Sequence, residues 1–393
     1  MFEIDQTVCY TNCMEKLKYF DNASTTMVDL DIIKDWEKLN EEHFYNPSAI
    51  YKAGNKSHNL LEQYRLSILK MLHAGESDGL IFTGSATESN NTAFYGTLKK
   101  NSKILVSSGE HSSNYAIYKE LINSGCNVEL VNITQDGVLD MQDFMDKMTR
   151  DVSFVSIIHV SNETGAINDI KQIVKYAKSV NPNVIFHSDG TQAVGKIDIN
   201  LKSLGVDLYS FSAHKIGGTK GVGALFVKNG VRIKPFIVGG GQEKGLRSGT
   251  ENVLGIYSLY KGLSTRLQTL KDDMARVTEI RDYMVAKLQK IDGVTCNAIN
   301  APRSPYIISA TVDNVRSETL INMLEDDGFI IGNGSACSSK LSGNRVLSAM
   351  GVSDTKIRGA IRISMSYATN MKDAQMLIDA LKKNIEIYRG NVR

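Results

Sequence analysis

The 393-residue sequence contains no apolar stretch that approaches the roughly 18 residues needed to span a bilayer. It also lacks an excess of charge, because 45 Lys and Arg residues oppose 43 Asp and Glu residues and leave a formal net charge of +2. The segment from Met1 to Gln6 shows no basic stretch followed by an apolar one. These absences predict a cytoplasmic protein that binds neither a membrane nor nucleic acid directly and acts on a small molecule.

Cysteine is also scarce, with five residues at positions 9, 13, 126, 296 and 337. An odd and mostly scattered set disfavours a disulfide framework and predicts reduced thiols. Cys9 and Cys13 lie close together in the sequence, but no second pair or nearby histidine completes a tetrahedral metal site. We therefore predict no metal site within the chain.

Short β-rich runs alternate with helix-like segments between residues 80 and 227. The runs are continuously apolar, and amphipathic segments such as Ile170 to Val180 separate them, which is typical of parallel strands covered on both faces. The sequence therefore predicts a large, doubly wound α/β domain with a mostly parallel sheet of seven strands. The predicted strands are Leu80–Phe82, Ile104–Val106, Val128–Val131, Phe154–Val160, Val184–Phe186, Leu208–Phe211 and Ala224–Val227.

The pattern changes after Thr250. A charged segment from Tyr260 to Lys290 predicts a long amphipathic helix, and the shorter strands Ile307–Val312 and Ile361–Met365 precede a helix over Met371–Tyr388. We predict a second, smaller α+β domain. The predicted division is an N-terminal extension over 1–18, the large domain over 19–259 and the small domain over 260–393.

Polar side chains follow five of the predicted strands. Because the carboxyl ends of parallel strands meet at one edge of a sheet, we expect these clusters to converge on one crevice. The clusters are Thr83–Thr87, Glu110–His111, Asn162–Thr164, Asp189–Gln192 and Ser212–Lys215.

Three of these positions suggest chemistry, although each has an ordinary alternative. Lys215, at a strand end before a glycine-rich turn, can form a Schiff base with an aldehyde cofactor, or it is a surface lysine. The turn from Gly84 to Asn91 suits a phosphate, or it is a plain helix N-cap. Asp189 suits the protonated ring nitrogen of a pyridoxal cofactor, or it forms an ion pair or a helix cap.

Eight motifs, taken in order, resemble the cysteine desulfurases of the NifS/IscS type, in the class V aminotransferase group of the fold type I pyridoxal phosphate enzymes. The motifs are Tyr19–Thr26, Ala86–Ser89, His159–Gly165, His187–Gln192, Ser212–Lys215, Arg247–Thr250, Gly334–Cys337 and Ile361–Ser364. They extend over nearly the whole chain, so the resemblance is far more specific than any single motif.

The resemblance implies pyridoxal 5'-phosphate as cofactor and a role for each matching residue. Lys215, His111 and Cys337 would be catalytic, and Asn162 and Arg362 would hold the substrate carboxylate. Thr250 would reach the cofactor of a second subunit, which implies a homodimer. The implied cofactor-binding residues are Ala86, Thr87, His111, Asn162, Asp189, Gln192, Ser212, His214, Lys215 and Thr250.

The implied reaction converts L-cysteine to L-alanine and leaves the sulfur as a persulfide on Cys337. This cysteine lies in a Gly- and Ser-rich stretch from Gly332 to Gly343, whose composition predicts a mobile loop. The sulfur would then pass to an acceptor protein, such as an iron–sulfur scaffold or a tRNA-thiolation protein, and Cys337 would touch an iron–sulfur cluster on that partner only transiently.

Other members of the group, such as a selenocysteine lyase or an aminotransferase, remain alternatives, as does an inactive relative that acts as a scaffold. Cys337 favours the desulfurase. The sequence departs from the usual pattern at Gly84-Ser85, Gly190, Ala213 and Thr219, where relatives usually have Ser-Gly, Ala, Gly and Pro. If position 85 needs a positive φ, the serine costs about 1 kcal/mol.

Overall fold

The structure is a computed structural model that describes residues 17–99, 102–334 and 344–391. Cys9, Cys13 and Cys337 lie outside the described residues. The predictions made for these three cysteines therefore concern parts of the chain that the structure does not cover.

Strands and helices alternate along most of the described chain. The strands are β1 (Lys18–Phe20), β2 (Gly79–Thr83), β3 (Lys103–Ser107), β4 (Asn127–Val131), β5 (Val152–Ser156), β6 (Ile185–Asp189), β7 (Leu208–Ser212), β8 (Gly223–Val227), β9 (Val294–Cys296), β10 (Ile307–Val312), β11 (Phe329–Asn333) and β12 (Ala360–Ser364). The helices are α1 (Leu30–His43), α2 (Lys52–Met71), α3 (Ala86–Thr97), α4 (Ser112–Asn123), α5 (Met141–Lys147), α6 (Ile170–Val180), α7 (Leu201–Leu204), α8 (Val253–Leu288), α9 (Ser317–Asp326), α10 (Arg345–Ala349), α11 (Asp354–Ile357) and α12 (Met371–Asn391). Among the helices of the described ranges, none is both long and apolar enough to cross a membrane.

The larger sheet has seven strands in the order β2-β8-β7-β6-β5-β3-β4. Its strands pair in parallel except for β8, which runs antiparallel to both β2 and β7. The predicted α/β fold with a mostly parallel sheet is confirmed. Helices cover both faces, and the apolar runs that predicted the strands are buried between them.

The smaller sheet has five strands in the order β1-β11-β12-β10-β9. Its first strand comes from the start of the described chain, because Lys18 to Phe20 pair in parallel with Phe329 to Ile331. A single long helix, α8, connects the two halves: Ile256 and Leu259 pack in the core of the large sheet, whereas Met284 packs in the core of the small one. The division at residue 259, inside this helix, remains a proposal.

Two departures from the usual sequence pattern fit the backbone without strain. Ser85 has φ −174°, which is extended backbone, and its Oγ accepts a hydrogen bond from Glu88 N at 3.1 Å as the N-cap of α3. The cost expected for a positive φ therefore does not arise. Thr219 N donates to Ser258 Oγ at 3.0 Å, a hydrogen bond that a proline in this position lacks.

A third departure, Gly190, is explained by a neighbouring ring. A Cβ atom at Gly190 would lie 2.0 Å from Cε1 of Tyr209. Tyr209 is fully buried, and its hydroxyl forms a 2.7 Å hydrogen bond with Nδ1 of His159, so the ring cannot move aside freely. Gly190 and Tyr209 therefore form a matched pair in which the ring fills the space of the missing methyl group.

Replacing Gly190 with alanine is expected to lower the free energy of unfolding by about 2–3 kcal/mol, because the added methyl group overpacks a rigid core. The cost should be clearly smaller in a Tyr209→Leu background, where the obstructing ring is gone. Urea denaturation of the two single variants and the double variant measures this coupling.

Gly390→Ala is the matched control, since a Cβ there meets no atom within 4 Å and the residue lies in α12. This substitution should be neutral or slightly stabilising. An equal cost of Gly190→Ala in both backgrounds would show that Tyr209 is not the obstacle.

Candidate active site

A cavity of about 360 Å³ opens where the strands of the large sheet end. Each of the five predicted polar clusters contributes to its wall, and representative members are Thr87, His111, Asn162, Asp189 and Lys215. The remaining wall comes from the smaller sheet, through Arg362, and from the segment after β1, through Ala23 and Ser24. The expected convergence on one crevice is therefore present in the structure.

One end of the pocket is suited to an anion. It is formed by the beginning of α3 at Ala86 and Thr87, where the first backbone N–H groups of the helix have no partner within the helix. His214 lines the same pocket, and its Nδ1 lies 3.1 Å from Thr25 Oγ1. Burial, and secondarily the charge of Lys215, lowers the pKa of His214 to about 3, so its ring is neutral. These groups can hold a phosphate through hydrogen bonds.

Asp189 ends β6 and is 3% exposed. Its Oδ2 accepts from Asn90 Nδ2 at 2.9 Å, and its Oδ1 accepts from Thr191 N at 2.9 Å. Asn90 was missed in the sequence, although it lies one helical turn after Ala86 and so faces the same side of α3. The two donors fix a buried carboxylate that can pair with a positively charged group.

His111 precedes α4 and lines the pocket. Its Nδ1 accepts from Ser113 N at 3.2 Å. The pKa of His111 is lowered, first by burial and then by the positive charges of Lys215, Arg345 and Arg362, against an opposing effect of Asp189. The ring is therefore neutral, and it forms part of the pocket wall where a ligand can contact it.

Lys215 lies at the end of the short helical turn that follows β7. Its Nζ donates to the carbonyl oxygens of Ala23 at 2.7 Å and Ser24 at 2.6 Å. Gln192 Nε2 donates to the same Ala23 oxygen at 2.8 Å. The amine is thus held inside the pocket wall, not in bulk water, as a Schiff-base lysine requires.

Arg362 projects from β12 and is 3% exposed. One Nη atom donates to Asp21 Oδ1 at 3.0 Å and to Ser24 Oγ at 2.7 Å, and the other donates to the Asn162 carbonyl at 3.1 Å. Glu163 Oε1 lies 3.7 Å away. A guanidinium with two nearby carboxylates is electrically balanced, yet its Nε still has no partner.

Three buried polar atoms in the pocket-lining residues lack a hydrogen-bond partner among the described residues: Asn162 Oδ1, Thr191 Oγ1 and Arg362 Nε. Buried polar atoms are usually paired, so these three indicate a polar ligand. In the present orientation Asn162 Nδ2 donates to Glu163 Oε1 at 2.8 Å. The unpaired Oδ1 is an acceptor, so the predicted contact of Asn162 with a carboxylate depends on its Nδ2 group.

Some predicted residues lie elsewhere. Ser212 is buried but does not line the pocket, and its Oγ donates to the Val222 carbonyl at 3.1 Å. Thr250 is exposed and lies outside the pocket of its own subunit. The roles implied for Ser212, Thr250 and Cys337 remain predictions.

The family model described as Aminotransferase class-V matches residues 18–377. The chain belongs to this family. A cysteine desulfurase IscS from Dictyoglomus turgidum is 35% identical over 382 residues, which cover 96% of each chain. The structure of a NifS-like protein superposes with a TM-score of 0.88 at 30% identity and covers 94% of this chain and 100% of that one. The structure titled "SspA in complex with cysteine" superposes with a TM-score of 0.76 at 27% identity and covers 88% of this chain and 98% of that one. The predicted resemblance is confirmed.

In this aminotransferase class-V protein, Arg345 ties the smaller sheet's side of the site to His111, a contact that the sequence did not predict. Its two Nη atoms donate to the carbonyl oxygens of Ser108 and Glu110, in the turn that leads to His111. The guanidinium lies 4.0 Å from the centre of the Tyr115 ring. Arg345 is also one of the charges that lower the pKa of His111.

Replacing Arg345 with alanine is expected to lower the free energy of unfolding by about 2 kcal/mol, because charged hydrogen bonds to two carbonyls are lost. The pKa of His111 should rise, since a nearby positive charge disappears. Urea denaturation and proton NMR of the His111 ring measure the two effects.

Arg345→Lys separates the two effects. A lysine keeps the charge but not the planar fork, so it should recover the His111 pKa and only part of the stability. Arg358→Ala, which removes an exposed arginine nearby, should change neither quantity. Full recovery of stability in Arg345→Lys would contradict the role assigned to the two hydrogen bonds of the planar guanidinium.

Proposed function

We propose that the protein is a pyridoxal phosphate-dependent cysteine desulfurase. It converts L-cysteine to L-alanine and passes the sulfur through Cys337 to an acceptor protein in the cytoplasm, such as an iron–sulfur scaffold or a tRNA-thiolation protein. One observation carries the proposal: a single pocket joins the amine of Lys215, the carboxylate of Asp189, the helix start at Ala86 and the guanidinium of Arg362.

The residues present fit pyridoxal phosphate group by group. The start of α3, with Thr87 and His214, would hold the phosphate; Asp189 would pair with the ring nitrogen; and Lys215 would bind the aldehyde. When bound, the cofactor supplies an aldehyde that takes up amines and a ring that stabilises negative charge at the substrate Cα. The unpaired Thr191 Oγ1, beside Asp189 in sequence, adds a further polar group to the same wall.

The substrate carboxylate binds at Arg362. The guanidinium is held rigidly by Asp21, Ser24 and the Asn162 carbonyl, and its Nε remains to be paired. A planar, permanently charged group fixed in this way orients a carboxylate well. The related structure titled as a complex with cysteine supports a cysteine-sized substrate.

Lys215 Nζ moves the proton of the substrate Cα, because the amine can leave the carbonyls of Ala23 and Ser24 and turn within the pocket. The Cys337 thiolate then attacks the substrate sulfur. A sulfur–sulfur bond forms, the carbon–sulfur bond breaks, and its electron pair stays on the carbon skeleton. That carbon takes up a proton, and the product leaves as alanine.

Both ends of the segment that carries Cys337 lie at the substrate side of the pocket. Asn344 Nδ2 donates to the Gly334 carbonyl and to Glu163 Oε2, the latter at 3.1 Å. Glu163 in turn faces Arg362. Cys337 is three residues beyond Gly334 in the sequence, which supports the proposed transfer.

Two substitutions test the proposal in complementary ways. Lys215→Ala should abolish the absorbance band of the lysine-bound cofactor and reduce alanine formation from L-cysteine by roughly 100-fold or more, because the proton-transferring amine is gone. Cys337→Ser should keep that band but lose alanine formation and the gain of one sulfur atom. Absorbance spectra, alanine assays and intact-protein mass spectrometry measure these effects.

Cys126→Ser serves as the control for thiol removal, since Cys126 is a half-buried free cysteine packed near the large-sheet core. It should keep the band, the alanine formation and the added sulfur. A colourless wild-type protein that cannot take up cofactor would refute the proposal. Equal alanine formation by the Cys337→Ser variant would refute only the persulfide step.

We also propose that the protein is a homodimer in which Thr250 of each subunit reaches the cofactor pocket of the other. Large apolar side chains are exposed on α1, on the connection from α1 to α2, and on the segment after β8; Ile50 is 97% exposed and Val238 is 77% exposed. Thr250, itself exposed, belongs to the same segment as Val238. A second copy that covers these side chains gains the burial of apolar surface.

The variant Ile50→Glu/Val238→Glu is expected to dissociate the dimer, because burying two unpaired charges at an interface costs several kcal/mol. Cofactor affinity should fall with it, since Thr250 no longer reaches the second pocket. Sedimentation velocity and cofactor titration measure both effects. Ile387→Glu, an exposed apolar position on α12, should alter neither, and a wild-type monomer would refute the proposal.

A further inference from the structure

Lys196 is a buried lysine that the reaction described above does not use. It lies in the turn after β6 and is 6% exposed. Its Nζ donates to Gln192 Oε1 at 2.6 Å. The positive charges of Lys215 and Arg362 act on it, and both have the same sign as its own. A buried amine among positive charges is costly, so its contact with Gln192 calls for an explanation.

Gln192 lines the pocket, and its amide can present either an oxygen or an N–H group to it. The ammonium of Lys196 has donors only, so it accepts no hydrogen bond from the amide nitrogen. It therefore selects the orientation in which Oε1 faces Lys196. In that orientation Nε2 faces the opposite way, toward the Ala23 carbonyl at 2.8 Å and the pocket.

We propose that Lys196, when charged, is a positioning residue that fixes the side-chain amide of Gln192, so that an N–H group would be available to donate to the ring oxygen of the cofactor. The inference rests on the proposed function, because the group that Gln192 faces is part of pyridoxal phosphate. A donor at this place stabilises the ionised ring oxygen and so sets the pH at which the bound cofactor changes its absorbance.

The constraint depends on the charge of Lys196. Burial, reinforced by Lys215 and Arg362, lowers the pKa of Lys196 to about 7. Other charged or titratable groups around it are His214, which burial keeps neutral, and Arg266, Tyr306 and Tyr367, which line a small cavity of about 20 Å³ together with Lys196 and Lys215. Above neutral pH the amine becomes uncharged and can accept as well as donate hydrogen bonds. It therefore favours one orientation of the Gln192 amide less strongly.

The test is a double-mutant cycle of Lys196→Met and Gln192→Met, read as the pH midpoint of the absorbance change of the bound cofactor. Lys196→Met, which keeps the length of the side chain but no donor, should raise the midpoint by roughly one pH unit. Lys196→Arg, which keeps donors and charge, should leave it near the wild-type value. In the Gln192→Met background, Lys196→Met should have no further effect.

Each outcome decides the matter. An unchanged midpoint in Lys196→Met overturns the proposal. An equal shift in both backgrounds also overturns it, because Lys196 then acts through its charge alone and not through the amide. If Lys196→Met does not fold, the comparison of Lys196→Arg with Lys196→Gln at the same midpoint carries the test, and equal values for these two variants overturn the proposal.

A readout without cofactor separates this inference from the proposed function. In the apoprotein, the coupling between Lys196 and Gln192 in the free energy of unfolding should be larger at pH 6 than at pH 9, because a charged donor bonds the amide more strongly. The folded pKa of Lys196 lies below its unfolded value, so wild type should gain stability relative to Lys196→Met as the pH rises from about 7 to about 10. Absence of the coupling overturns the inference even if the enzyme proves to be a desulfurase.

Discussion

The site depends on one short peptide, Asp21 to Ser24, which is hydrogen-bonded to both sheets at once. Its backbone joins the smaller sheet, where Asn22 N donates to the Ser364 carbonyl at 3.2 Å and Ala23 N donates to Ser364 Oγ at 2.9 Å. Its side chains hold Arg362, and its carbonyl oxygens receive Lys215 and Gln192 from the large sheet. The group that would carry the cofactor and the group that would hold the substrate are thus positioned by the same four residues. This shared support explains why a residue near the start of the described chain and one near its end meet in one pocket.

The pocket also depends on how its charges are balanced. Burial keeps His111 and His214 neutral, and it raises the pKa of Glu110, directly before His111, to about 8. Asp189 accepts hydrogen bonds from two donors, Asn90 Nδ2 and Thr191 N. Lys215 and Arg362 contribute positive charges to the pocket wall, and the carboxylates of Asp21 and Glu163 lie beside Arg362. A pocket wall with neutral histidines and the positive charges of Lys215 and Arg362 is suited to ligands that carry phosphate and carboxylate groups.

Much of this arrangement could be predicted from the sequence, because local patterns determine it. The amphipathic period of Ile170 to Val180 gave the bounds of α6, and the apolar run Ile307 to Val312 gave those of β10. The reversed direction of β8 could not be predicted, because an apolar run does not record its partner's direction. The pairing of β1 with β11 was equally hidden, since the two strands lie over 300 residues apart. The motifs contain many of the residues that line the pocket, whereas the contacts of supporting residues such as Asn90 with Asp189 and Lys196 with Gln192 could not be predicted from them.

The same limit applies to Gly190. The glycine is visible in the sequence as a departure, but its reason is the ring of Tyr209, which reaches it from the neighbouring strand. Because the ring occupies the space that a Cβ at position 190 would need, the two residues together fill the volume between β6 and β7 next to Asp189.

The substrate side of the site shares a carboxylate with the segment that carries Cys337. Glu163 Oε1 accepts from Asn162 Nδ2 and faces Arg362, while its Oε2 accepts from Asn344 Nδ2. Asn344 also caps α10 through a 3.0 Å hydrogen bond from Leu347 N, and the next residue, Arg345, extends the contact to the turn before His111. Burial raises the pKa of Glu163, whereas Arg362 and the two asparagines oppose that rise. In the proposed reaction, a substrate carboxylate at Arg362 would compete with Glu163 for the guanidinium and would alter the electrostatic environment of the contact between Glu163 and Asn344. The proposed substrate site and the start of α10, just after the segment that carries Cys337, are thus connected by contacts within one subunit.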